Sequence, residues 1–190
     1  MIVVGFIAGT LLGIGISLFM AYSRFFRDSF ITIFDFLRAV PVFALIPLFL
    51  VWFGIGRWPQ IALITVGVSV IISVTTFEAI RNMPRILISA AQTLGADKKQ
   101  VYTTVILPAI FPHLIGAVRT GAAASFGLDA AAEFMGSQVG LGYLMIMQSM
   151  YLRTDGILAI VIIYCVLAYI ADRILCVIER KLTYWTERRI

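Results

Sequence analysis

The chain has 190 residues, is 61% hydrophobic and only 13% charged, and carries a formal net charge of +5. That composition excludes a soluble domain of this size and points to an integral membrane protein. The basic excess lies beside the apolar runs, where it sets orientation, so nucleic acid is not an expected partner.

Residues 2–22 form the first expected span, because about 20 apolar residues cross a bilayer and no charge appears before Arg24. No basic stretch precedes this run, so no secretory leader is expected. Gly5, Gly9, Gly13, Ser17 and Ala21 recur every fourth position and make one face small. Such a face lets two helix backbones approach closely, either at a seam between two copies or inside one chain. Arg24, Arg27, Asp28, Asp35 and Arg38 mark an aqueous stretch, with 27–38 read as an interfacial helix or the entry to the next span. That second span, 39–56, contains Pro41 and Pro47, which predict either a static bend or a hinge lining a pathway.

Arg57, Trp58 and Pro59 make a short turn into a third span, 60–77. A polar loop, 78–104, follows. Within it Ile86, Leu87, Ala90, Ala91 and Leu94 have helical spacing. Pro84 suits the start of that helix and Gly95 its C-terminal cap. Asp97 followed by Gln100 predicts a capping box opening the next helix. The fourth span, 105–128, is rich in small residues and includes His113 and Arg119. Asp129 and Glu133 open a glycine-rich stretch, and a last span, 156–175, leads into a basic tail.

Of the fifteen lysines and arginines, twelve fall on one side if the first span runs inward. Only Arg57 and Arg153 fall on the other, and Arg119 lies within a span. This asymmetry predicts an external N-terminus, a cytoplasmic C-terminus and a cytoplasmic 78–104 loop.

No catalytic constellation emerges. His113 has no Ser or Cys partner at useful spacing, and there is no GxxxxGK[ST] loop, so the chain is expected to bind no nucleotide or other cofactor itself. Cys165 and Cys176 are about 16 Å apart on one predicted helix, too far for a disulfide; both read as small apolar core residues, and no metal site is expected. Asp129 and Glu133, four apart, read either as a solvated helix end or as an acid–base or cation-holding pair. Arg119 costs on the order of 3 kcal/mol near a helix centre, so it must face a bundle interior or a watery cavity. It is expected to contact an anionic solute, to form an ion pair with Asp129, Glu133 or another carboxylate, or to snorkel toward an interface.

The segment SAAQTLGADKKQVYTTVILP resembles the EAA loop of ATP-binding-cassette importer permeases, whose pattern is E-A-A, three residues, G, nine residues, I-x-L-P. Ala90, Ala91, Gly95, Leu107 and Pro108 match at that spacing, with Ser89 in place of Glu and Val105 in place of Ile. RAVPVFALIPLFLVWFGIG, AAEFMGSQVGLGYL and DRILCVIERKLTYW are similar to the nitrate, sulfonate and taurine branch of these permeases. In that branch a further helix usually precedes the position where this sequence starts.

The resemblance implies an all-α bundle of about five membrane helices, the core of type I importers, as a single domain over 1–190. It implies that Ser89, Ala90, Ala91, Gly95, Ala96, Leu107 and Pro108 form the loop that couples to a cytoplasmic ATPase. Arg119, Glu133, Pro41 and Pro47 are the candidates for the substrate pathway. The implied partners are that ATPase, an extracytoplasmic binding protein, a second permease copy and membrane lipid. The expected cargo is a small anion such as a sulfonate, taurine or nitrate. A heterocyclic vitamin precursor, or a non-transporting scaffold role, is the alternative.

Overall fold

The computed structural model describes residues 1–22, 36 and 40–183. Arg24, Arg27, Asp28, Asp35, Arg38, Arg188 and Arg189 lie outside the described residues, as does the helix expected at 27–38 apart from Phe36. The described elements are helical. Helix α1 spans Ile2–Tyr22, a 3-10 turn spans Val42–Leu45, and α2 spans Ile46–Phe53. Helix α3 is Arg57–Arg81, α4 is Arg85–Thr93 and α5 is Lys98–Gln100. A π-helical segment, Val101–Ile106, leads into α6 at Leu107–Gly136, followed by α7 at Leu141–Met150 and α8 at Thr154–Leu182.

Among the described residues, four helical stretches are long and apolar enough to cross a membrane: Ile2–Met20, Arg57–Arg81, Lys98–Phe134 and Thr154–Lys181. The 37 residues of Lys98–Phe134 reach about 55 Å at 1.5 Å per residue, well beyond a hydrocarbon core of about 30 Å. One end of that rod therefore projects into water, and Lys98 and Lys99 place it at the loop end.

The expected span 39–56 takes a different form. Its described helical part is the apolar stretch Val42–Phe53, about 18 Å long and short of a crossing by itself. Neither proline sits in a helix interior. Pro41 precedes the 3-10 turn and Pro47 lies in the first turn of α2, where a missing N–H breaks no helical bond.

The small face of α1 is used inside the chain. A Cβ on Gly5, Gly9 or Gly13 would fall 2.8, 2.7 or 2.9 Å from the nearest atoms of α3, which are Ile64 Cβ, the Thr65 carbonyl oxygen and Ile72 Cβ. Ser73 adds a hydroxyl bond to the Gly13 carbonyl at 3.2 Å. Residue numbers rise together along this seam, so α1 and α3 are parallel. Two parallel spans need the chain to return between them, and Val42–Phe53 lies on the connecting stretch.

Helix α6 runs back along α3. A Cβ on Gly67 would meet Leu128, and one on Gly121 would meet Val68 and Ile72. Ile64, Val68, Ile72, Ala117 and Leu128 form the buried core of this three-helix contact. Helix α8 lies antiparallel to α6 through Arg119 and is mostly uncovered, with Leu158, Ile162, Val166 and Ile170 exposed. That is the surface lipid would wet. Cys165 is on this exposed side and Cys176 is half-buried, both as free thiols, which corrects the core placement expected for Cys165.

These directions collect Tyr22, Arg81, Lys98 and Arg180 at one end of the bundle.

Candidate functional site

The polar loop is built from local signals that satisfy each other. Pro84 (φ −59°, ψ 118°) is extended and delivers the chain into α4 at Arg85. At the other end Gly95 has φ +84°, a left-handed value that L side chains rarely adopt. Its N–H donates to the Gln92 carbonyl at 3.0 Å, and the Ala96 N–H donates to the Ala91 carbonyl at 3.0 Å. This pair of bonds is a Schellman motif, which gives two otherwise orphaned carbonyls a partner. Immediately after it, the Asp97 N–H donates to Gln100 Oε1 at 2.8 Å and the Gln100 N–H donates to Asp97 Oδ1 at 2.6 Å. The expected capping box is therefore present.

The outer surface of this corner is apolar and uncovered. Leu94 is 88% exposed, Ile86 72% and Leu87 45%. Ser89 and Ala90 are also exposed. The Ser89 carbonyl accepts the Thr93 hydroxyl at 2.9 Å, and Ser89 itself is a small polar residue on the exposed surface.

Leu107 and Pro108 occupy the start of α6. Just before them the backbone winds as a π-helix, with the Leu107 N–H reaching back five residues to the Tyr102 carbonyl. Pro108 has no N–H to offer, so the ladder has a gap where the wider turn ends. Tyr102 crosses to the last turns of α1. Its hydroxyl donates to the Leu18 carbonyl at 2.9 Å, and its ring meets Tyr22 edge-on at 5.4 Å between centroids. Sequence reasoning missed this tie, because no local pattern connects residues more than eighty positions apart.

Beneath α4 lies a cavity of about 600 Å³ between the end of α3 and the first half of α6. Thr75, Asn82, His113 and Thr120 give it polar walls, and Leu87 and Ile110 are among its apolar ones.

The remaining candidates fall elsewhere. Arg119 pairs with neither Asp129 nor Glu133. Its Nε and Nη2 donate to Asp172 at 2.7–3.0 Å, and its Nη1 donates to Glu179 Oε2 at 2.9 Å. Both carboxylates belong to α8, one helical face seven residues apart. Two acidic residues at that spacing in a mostly apolar last helix were the available sequence signal. Glu133 holds the start of α7: its Oε2 accepts the Gly142 N–H at 2.7 Å. A Cβ on Gly140 would overlap that carboxylate, and one on Gly142 would sit 2.9 Å from Glu133 Cβ. An anion at a helix N-terminus is stabilised by its unpaired N–H groups and dipole. Glu133 is thus not at a solvated helix end, and Asp129, a turn earlier on α6, is 5% exposed. Pro41 and Pro47 lie at helix starts, as described above.

Residues 5–184 match the family described as binding-protein-dependent transport system inner membrane component. The chain belongs to that family. It is a permease subunit of ATP-binding-cassette importers, a transport component and not an enzyme. The chain is 30% identical over 184 residues to the taurine transport system permease protein TauC of Escherichia coli K12, covering 97% of this chain and 67% of TauC. It is 31% identical over 181 residues to the aliphatic sulfonates transport permease protein SsuC of Bacillus subtilis 168, covering 95% and 66%. Among solved structures, an inward-facing form of the MetNI methionine transporter superposes with a TM-score of 0.80 at 22% identity, covering 96% of this chain and 91% of that one. At that identity the likeness establishes the type I importer fold and nothing about cargo.

Proposed function

We propose that this permease works in pairs and passes a small sulfonate-bearing organic solute across the membrane. An extracytoplasmic binding protein delivers the solute, and a cytoplasmic ATPase grips α4 to drive the cycle. The observation that carries this reading is α4 itself. It is a nine-residue helix with exposed leucine and isoleucine, held at its far end by a Schellman turn and a capping box, at the end of the bundle where the basic residues collect. Such a helix fits the groove of a soluble partner by apolar contact. With Ser89 at the position of the family's glutamate, the docking rests on shape and apolar area, without an ion pair from that residue.

The positive charge at the α4 end supports a cytoplasmic loop and C-terminus, with the N-terminus outside. The sulfonate class is supported by the resemblance to TauC and SsuC. In this reading Arg119 and Glu133 hold α8 and α7 in place and do not bind the solute.

The test is Gly95→Val. A β-branched residue at φ +84° costs about 1–3 kcal/mol of backbone strain, so the corner opens while the spans are untouched. The expected outcome is normal permease in the membrane fraction, with loss of ATPase co-purification and of uptake. Retention of both by a well-expressed variant sinks the docking role.

A further inference from the structure

The outward face of α8 carries positive charge that the bundle leaves uncompensated. We propose that this face binds an anionic phospholipid, its acyl chains laid along the helix and its headgroup held by Arg173, Arg180 and Lys181. The site is separate from the docking role of α4 and from the solute path.

Periodicity and depth define it. Leu158, Ile162, Val166, Tyr169, Arg173 and Arg180 follow one another at steps of three, four or seven residues, so they share one helical face. All six are exposed. Helix α8 has 29 residues, about 43 Å at 1.5 Å per residue, which exceeds a hydrocarbon core of about 30 Å. Counted from Thr154, Arg173 lies about 28 Å along the axis. The apolar part of the face therefore spans the core, and the basic part begins where headgroups do, at the α4 end of the bundle. Side chains of a helix tilt toward its N-terminus, so Arg180 and its neighbour Lys181 lean back toward that layer.

Charge selects the occupant. Asp172 and Glu179, the acidic residues in the C-terminal half of α8, turn toward α6 and are both taken by Arg119. Arg173 sits over the Tyr169 ring, 4.9 Å from its centroid. Among the described residues no carboxylate pairs with Arg173, Arg180 or Lys181. A second copy offering the same face would set these cations against their own images across a two-fold seam, where like charges repel. A phospholipid with a net negative headgroup supplies the missing charge, and guanidinium groups present paired N–H donors to phosphate oxygens. The uncovered apolar stripe next to the cations accepts the acyl chains of the same molecule.

The test uses full-length permease, stripped of lipid in detergent and offered phosphatidylglycerol and phosphatidylcholine in equal amounts. Native mass spectrometry counts the lipid retained per chain, and phosphatidylglycerol is expected to be preferred. Arg173→Gln and Arg180→Gln should each cut that preference about fivefold, the worth of one basic residue beside an anionic membrane surface. Tyr169→Leu, which keeps every charge, should cut it about two- to fivefold by freeing the guanidinium. Arg57→Gln removes an exposed cation from the opposite end of the bundle and should leave the preference unchanged. Inorganic phosphate should not displace the lipid, because it has nothing to lay on the apolar stripe. With Cys165 and Cys176 replaced by alanine, Ile162→Cys should not cross-link two copies in phosphatidylglycerol vesicles. Equal retention of the two lipids, or a loss with Arg57→Gln as large as with Arg173→Gln, overturns the proposal. Displacement by inorganic phosphate overturns it in favour of a free-anion site, and cross-linking overturns it in favour of a protein-covered face.

Discussion

Gly9 offers the sharpest test of how the bundle is held. A Cβ there would lie 2.7 Å from the Thr65 carbonyl oxygen and 2.8 Å from Val68 Cβ, whereas ordinary contact begins near 3.4 Å. Gly9→Ala must therefore move α1 away from α3 by about 0.7 Å, because a carbonyl and a branch point are not flexible side-chain ends. A gap of 0.5–1 Å forfeits about a quarter to a half of each van der Waals well along the seam. Between helices in lipid that packing is the main attraction, since the tails are as apolar as the side chains. Overpacking of this kind costs about 1–3 kcal/mol. On the same helix Gly15 has open space around its Cβ position, so Gly15→Ala should be neutral or gain up to about 1 kcal/mol from helix propensity. The assay is the thermal midpoint of detergent-solubilised permease, where each kcal/mol is worth about 2–4 °C at this chain length. Gly9→Ala should fall by several degrees while Gly15→Ala holds or rises. Equal midpoints for the two variants would refute the intrachain seam.

Two further predictions follow from the contacts to α8 and α1. In Asp172→Asn or Glu179→Gln, Arg119 keeps one carboxylate, so each single variant should lose little stability. The double variant leaves the guanidinium without either carboxylate, so its loss should exceed the sum of the two single losses in the thermal midpoint; additive losses would contradict a shared ion pair. Tyr102→Phe removes the hydroxyl bond to the Leu18 carbonyl but keeps the ring against Tyr22, which should cost about 1 kcal/mol. The same variant in the assembled transporter should retain ATPase binding, and its loss would place Tyr102 in the docking surface instead of the bundle.

What local chemistry writes was readable before any fold was known. The Gly95 cap, the Asp97–Gln100 box and the start of α4 depend on residues at most five apart, and their geometry is as the residue types demand. Spans were legible because lipid demands a continuous apolar run, and the α1 glycine face because it repeats every fourth residue. Pro41 and Pro47 misled because a proline marks both a helix start and a kink, and only the backbone tells which.

Partners distant in the chain were another matter. That Gly5, Gly9 and Gly13 meet α3 and not a second copy was decided by packing, since a small face accepts any close neighbour. Arg119 had to find a carboxylate, because a lone guanidinium in a bundle is too costly. That Asp172 and Glu179 supply it, and Asp129 and Glu133 do not, depends on how α8 lies against α6. The cavity under α4 is no property of any segment; it is the space three elements leave. Local hydrogen bonding and solvation act over a few residues and are carried by the sequence itself, whereas complementarity between surfaces exists only once the chain has brought them together.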